Sequence, residues 1–243
     1  MHLYHKMKIV YFIFRAFAFT LSLLPFRIIY LFSDFFYLII YYVWGYRKKV
    51  VYDNLKNSFP EKSDKEIRKT AKKYYHRLAD VIVEVLKKRH LSEKQIKKRF
   101  HFKNTGLLDQ LYSENKSVFL CIGHCGNWEW LGPALMIALK HKCYAVVKPL
   151  SDAFFDSYMN KLRNRLNDDD RTVPFKQTLR FLVRNKENCM AILIAADQTP
   201  HKDEINYWTD FLNQETAFFL GTEKMAKSGY ACCISGCTSY KKR

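Results

Sequence analysis

The run Val118-Phe119-Leu120-Cys121-Ile122 is apolar throughout and breaks at once into Gly123-His124-Cys125-Gly126-Asn127-Trp128-Glu129. A short apolar run closed by a glycine predicts a buried strand. The histidine and the carboxylate five positions on can reach one pocket only if they do not share a helix, because residues five apart on a helix point roughly 140° apart. His124 is therefore expected on the loop, with a helix starting after it.

A histidine at a helix N-terminus meets the positive end of the dipole, which holds it neutral near physiological pH and able to take a proton. Glu129, about one turn into the helix, would accept the other ring N–H, fix the tautomer and stabilise the imidazolium as it forms. The proton would come from a hydroxyl. A capping or core histidine is the bland alternative, but Gly123 and Gly126 leave room for a ligand beside this one.

The string Gly-His-x-Gly-Asn-Trp-Glu at positions 123–129 resembles the signature of the lipid A biosynthesis acyltransferases, the lauroyl and myristoyl transferases of Gram-negative bacteria. These are relatives of the glycerolipid acyltransferases, whose motif is also a histidine, four residues and an acid. Three further segments add to the resemblance, which spans residues 50–227. They are Asn54-Leu55-Lys56-Asn57-Ser58-Phe59-Pro60-Glu61, then residues 144–149 with Arg163-Asn164-Arg165-Leu166-Asn167, and Ala196-Asp197-Gln198-Thr199-Pro200. In the second, Leu166-Asn167 stands where the family usually has Phe-Gly.

The resemblance implies transfer of a fatty acyl chain from acyl carrier protein to a hydroxyl of a lipid A precursor, with His124 as general base and Glu129 as its partner. It implies no cofactor and no metal. Arg163 suits a phosphate or developing charge, and equally a surface ion pair. Asp197 could pair with Arg163, orient the acceptor or serve as a turn residue. Asn127 could bind the acceptor or cap the following helix. The alternatives are acylation of another glycolipid or glycerolipid, and an inactive membrane-binding relative.

Composition bounds the answer independently. The chain has 243 residues, long enough for one well-buried domain plus an appendage, and shows no internal repeat. Its net charge of +18 calls for an anionic partner: nucleic acid, an acidic membrane surface or an acidic carrier protein. The basic residues lie along amphipathic helices without a nucleic-acid module, so membrane lipids or a carrier are favoured and no nucleic acid is expected.

Residues 9–24 and 28–44 are apolar runs separated by Pro25-Phe26-Arg27, with only Arg15 and Asp34 as interior charges. Each is near the lower limit of about 17 to 25 residues for a span. No small-residue cleavage site follows either run, so the segment is expected to stay as an anchor. Arg47-Lys48-Lys49 comes next and places the domain on the cytoplasmic side of the inner membrane. The anchor would occupy residues 1–46 and the catalytic domain residues 47–243.

Beyond it, Ile67, Ala71, Tyr74, Tyr75, Leu78, Ile82 and Val85 recur at helical spacing behind a Ser63/Glu66 capping box. Apolar runs at 118–122, 144–147 and 190–196 alternate with helical stretches. The expected fold is α/β, a mixed sheet core covered by helices as in glycerolipid acyltransferases. His124 and Asp197 both fall just past a strand, where such sheets carry their sites. Seven cysteines are an odd number for a disulfide framework and read as reduced and structural. Cys125 is a poor nucleophile beside its own neighbour His124, and Cys232, Cys233 and Cys237 lack zinc-finger spacing. Residues 228–243 are Cys- and Ser-rich, and are expected to lie outside the family's pattern as the mark of an incomplete C-terminus.

Overall fold

The computed structural model describes residues 2–227 and 230–234. Two apolar helices open the chain: α1 (His2–Leu23) and α2 (Phe26–Leu38), the latter running on as a π-helical turn over Ile39–Trp44. Gly45, at φ 63°, ends that turn in the left-handed region that glycine enters without strain. Then come α3 (Lys48–Ser58), α4 (Asp64–Lys87), α5 (Glu93–Arg99) and α6 (Gly106–Ser113).

The expected capping box forms at the start of α4. Ser63 Oγ accepts the Glu66 N–H, and Glu66 accepts the Ser63 N–H. The buried stripe of α4 is Ile67, Ala71, Tyr75, Ala79 and Val83, spaced by four; Tyr74 and Ile82 lie instead on its exposed flank.

Strands and helices then alternate: β1 (Val118–Ile122), α7 (Trp128–Ala138), β2 (Lys142–Val147), α8 (Ala153–Arg163), β3 (Thr172–Pro174), α9 (Thr178–Arg184) and β4 (Met190–Ala195). A hairpin, β5 (Tyr207–Phe211) and β6 (Gln214–Phe218), precedes α10 (Gly221–Ala226) and β7 (Ala231–Ile234). The main sheet has the order β3-β2-β4-β1-β7, and every neighbouring pair is parallel. The antiparallel pairing that a mixed sheet implies is confined to the separate β5–β6 ribbon. Parallel strands are buried on both faces, which explains their unbroken apolar runs. Successive residues of β1 serve opposite faces: Val118 and Leu120 pack with Leu135 and Leu193, whereas Phe119 packs with Tyr144 and Ile192.

Ala231–Ile234 lie within the stretch expected to fall outside the family's pattern, and they pair with β1 as a strand of the main sheet. Cys232 and Cys233 belong to that strand; Cys237 and the rest of the tail lie outside the described residues.

The N-terminal helices also share their cores with the rest of the fold. Ala18, Leu21 and Ile29 pack against Val83 and Leu86 of α4 and against Tyr158 and Leu162 of α8. Tyr37, Ile40 and Tyr41 pack against Tyr75 and Ala79. Lys87 reaches across to donate to the carbonyls of Ser22 (2.7 Å) and Leu24 (2.8 Å), capping the C-terminal end of α1. Deleting residues 1–46 is therefore expected to strip six core positions of their cover. At about 1.5 to 3 kcal/mol for each large side chain, that is comparable to a whole domain's 5 to 15 kcal/mol. The shortened chain should aggregate and show no cooperative melt; a soluble product with an unchanged midpoint would contradict the packing.

Candidate functional site

Strand register brings the site together. Ile122 pairs with Ala195 at the ends of β1 and β4, and the Ala196 N–H still donates to the Ile122 carbonyl at 3.1 Å. Continuing the ladder two residues sets His124 opposite Asp197. One oxygen of Asp197 accepts the His124 backbone N–H (2.6 Å) and the other lies 2.6 Å from its ring Nδ1. An ionised carboxylate only accepts, so Nδ1 carries the hydrogen and Nε2 keeps its lone pair. The Gln198 side-chain nitrogen lies 3.4 Å from Nε2, and the Trp128 ring meets the imidazole edge-on at 4.9 Å. His124 keeps 28 % of its side chain exposed. Burial pushes the Asp197 carboxyl up, but its bonds to the His124 backbone and ring outweigh that and hold it below the usual carboxylate range.

Gly123 lets Asp197 in. A Cβ at this position would sit 3.2 Å from Asp197 Oδ2. Gly123→Ala is expected to push the carboxylate back by a few tenths of an ångström and lower kcat about tenfold, since sub-ångström misplacement weakens a positioned group. Thermal midpoint and kcat measured on one preparation would check this, with the midpoint almost unmoved.

Asn127, with φ −100°, caps α7, and its Oδ1 accepts the Trp130 N–H at 3.1 Å. Its Nδ2 donates to Glu84 at 2.8 Å, and the Trp130 indole donates to the Glu84 carbonyl at 2.9 Å. Tyr30 of α2 donates to the other Glu84 oxygen at 2.7 Å. Burial raises the Glu84 carboxyl above its usual range despite the bonds from Asn127 and Tyr30. Of the two roles expected of Asn127, the cap on the following helix is formed. Its amide is buried and spent on joining the start of α7 to α4 and α2.

Glu129 is held by two cations. Its carboxylate takes both forks of Arg163, with Nε at 3.1 Å and a terminal nitrogen at 2.5 Å, and has Lys88 Nζ at 3.6 Å. The ring N–H of His124 goes to Asp197, so the expected His124–Glu129 contact is absent, and Arg163 pairs with Glu129 rather than with Asp197. Burial raises the Glu129 carboxyl, but Arg163 and Lys88 outweigh it and leave it below the usual range.

Lys88 went unread in the sequence, yet a signal was present. Pro133 lies four residues after Glu129 inside α7 and has no N–H to give the Glu129 carbonyl. Lys88 Nζ donates to that carbonyl and faces the carboxylate of the same residue. Burial lowers the Lys88 ammonium to about 8, with Glu129 opposing the shift.

The fold is α/β, and His124 and Asp197 meet at the ends of two adjacent parallel strands. The chain matches the family described as bacterial lipid A biosynthesis acyltransferase over residues 1–243, the whole chain, and it belongs to that family. Membership makes it an acyltransferase of lipid A and lipopolysaccharide synthesis. The match includes residues 228–243, which corrects the view of the tail as outside the family's pattern. No curated protein matches the chain.

Proposed function

We propose that the protein moves a fatty acyl chain from acyl carrier protein to a hydroxyl of a lipid A precursor, at the cytoplasmic face of the inner membrane. The observation that carries the chemistry is the 2.6 Å contact between His124 Nδ1 and Asp197, which turns the Nε2 lone pair away from Asp197, with only the long 3.4 Å contact from Gln198 upon it. Nε2 takes the proton of the acceptor hydroxyl as its oxygen attacks the thioester carbonyl carbon. The oxyanion forms near the N-terminus of α7, whose positive end favours it. Collapse breaks the carbon–sulfur bond, and the imidazolium returns its proton to the departing thiolate. Asp197 stabilises the imidazolium in between.

Glu129 and Arg163, proposed from the sequence as catalytic and substrate-binding, act in this reading as positioning residues: together with Lys88 they fix the first turn of α7 behind the base. The net charge of +18 suits the acidic carrier protein and anionic lipid. Membrane attachment is supported by the outer face of residues 1–46, where Ile9, Val10, Phe12, Ile13, Leu31, Phe35, Val43 and Trp44 are all exposed. Phe26–Trp44 is a helical stretch long and apolar enough, by length and composition, to cross a membrane. Trp208 and Phe211 of the β5–β6 ribbon are also exposed. The test is product formation on a lipid A precursor with acyl carrier protein or acyl-coenzyme A as donor. Faster transfer from the carrier protein is expected. Equal or better use of coenzyme A would overturn the donor, and no transfer from either would overturn the reaction.

A further inference from the structure

Between α1, α8 and the turn after α4 lies a cleft of about 280 Å³, separate from the His124–Asp197 contact. Arg15, Arg89, His90, Lys161 and Arg165 line it, and no carboxylate does. Among the described residues, none of Arg15, Arg89, Lys161 and Arg165 is in an ion pair with an acid. Gathering like charges without a counter-charge is costly unless an anion completes the set.

A second observation points to a ligand. Tyr158 lines the same cleft and is only 4 % exposed, yet among the described residues its hydroxyl has no hydrogen-bond partner. The Nε of Arg165 is likewise buried without one. Buried donors left unmade cost about 1 to 3 kcal/mol each, so two in one cleft of cations mark a place for an acceptor-rich group. The exposed Ile9, Val10, Phe12 and Ile13 lie on α1, the helix that supplies Arg15.

We propose that this cleft binds the phosphate of an anionic membrane lipid, beside the apolar face of α1. The arginines and Lys161 supply charge, and Tyr158 and Arg165 donate from below to the phosphate oxygens. This rests on the membrane reading for the source of the lipid, but not on the acyl-transfer mechanism.

The experiment measures binding of the full chain to phosphatidylcholine vesicles with and without phosphatidic acid. It compares wild type, Arg15→Gln/Arg89→Gln, Tyr158→Phe, and a charge control, Lys94→Gln/Lys97→Gln, which alters two exposed lysines of α5. Wild type should prefer the phosphatidic acid vesicles. The arginine pair should weaken that binding about tenfold or more, because each lost bond is charge-assisted. The equally charged lysine control should lose less than about twofold. Tyr158→Phe removes only the unpartnered hydroxyl, so it should bind several-fold more weakly with a melting midpoint equal to or above wild type. Full binding by Tyr158→Phe, or equal losses in the arginine pair and the lysine control, would overturn the site.

Inorganic phosphate at millimolar concentration tests the source. It should leave vesicle binding unchanged; binding of inorganic phosphate alone, lost in the same variants, would assign the cleft to a soluble anion instead. Wild type that ignores every vesicle would sink the membrane reading too, whereas equal binding to both vesicle types would sink this site alone. The arginine pair should retain acyl transfer on detergent-dispersed acceptor, and loss of that turnover with an unchanged melt would place the arginines in the reaction and overturn a purely lipid-docking role.

Discussion

His124→Ala is expected to lower acyl transfer by about 10²- to 10⁴-fold, the usual worth of a positioned general base. The substitution removes the imidazole whose Nδ1 is held by an acid while Nε2 has only the long 3.4 Å contact from Gln198. Its ring touches Trp128 edge-on and is partly exposed, so little packing is lost and the thermal midpoint should move by only a few degrees. The rate is read as labelled acyl chain transferred to the acceptor, alongside a melt. Near-normal turnover by a folded variant would remove His124 from the mechanism.

Glu129→Ala is expected to act first on stability. It leaves Lys88, with 2 % of its side chain exposed, and Arg163, with 19 %, facing each other without the anion between them. Breaking a buried pair from one side costs about 3 to 5 kcal/mol, which for a chain of this size lowers the melting midpoint by about 6 to 20 °C. Activity should fall with it, because the start of α7 and Trp128 beside the base lose their footing. Differential scanning calorimetry at neutral pH decides the matter. An unchanged midpoint with lost activity would mean that Glu129 takes part in the chemistry directly.

Much of this arrangement is legible in the residues, and the missing parts share a cause. The strands at 118–122 and 190–195 announce themselves as apolar runs, and the long helix behind Ser63 through its capping box and spacing by four. The loop position of His124 follows from the angle between side chains five apart. Which acid it meets does not follow, because Asp197 is 73 residues away and reaches His124 through a strand pairing that only the folded sheet defines. Sequence proximity favours Glu129; the register of β1 against β4 favours Asp197.

The same holds for Asn127 and Arg163, whose partners Glu84 and Glu129 lie across helix packings. The β5–β6 turn is another case. Leu212 and Asn213 both adopt positive φ, 52° and 58°, where a leucine gives no turn signal. The apolar helices at the N-terminus read correctly as apolar. Their inner faces are fixed by contacts with α4 and α8 that no local pattern displays.

Asp197→Asn against Glu129→Gln is the comparison on which the site assignment turns, with kcat and melting midpoint measured for both. An amide at 197 can present its NH₂ to the ring, favours the wrong tautomer and cannot stabilise the imidazolium. The account predicts that Asp197→Asn lowers kcat by about 10²- to 10⁴-fold with the midpoint nearly unchanged, while Glu129→Gln lowers the midpoint markedly and kcat less. The reverse pattern, a stable but inactive Glu129→Gln and a near-normal rate in Asp197→Asn, would contradict it.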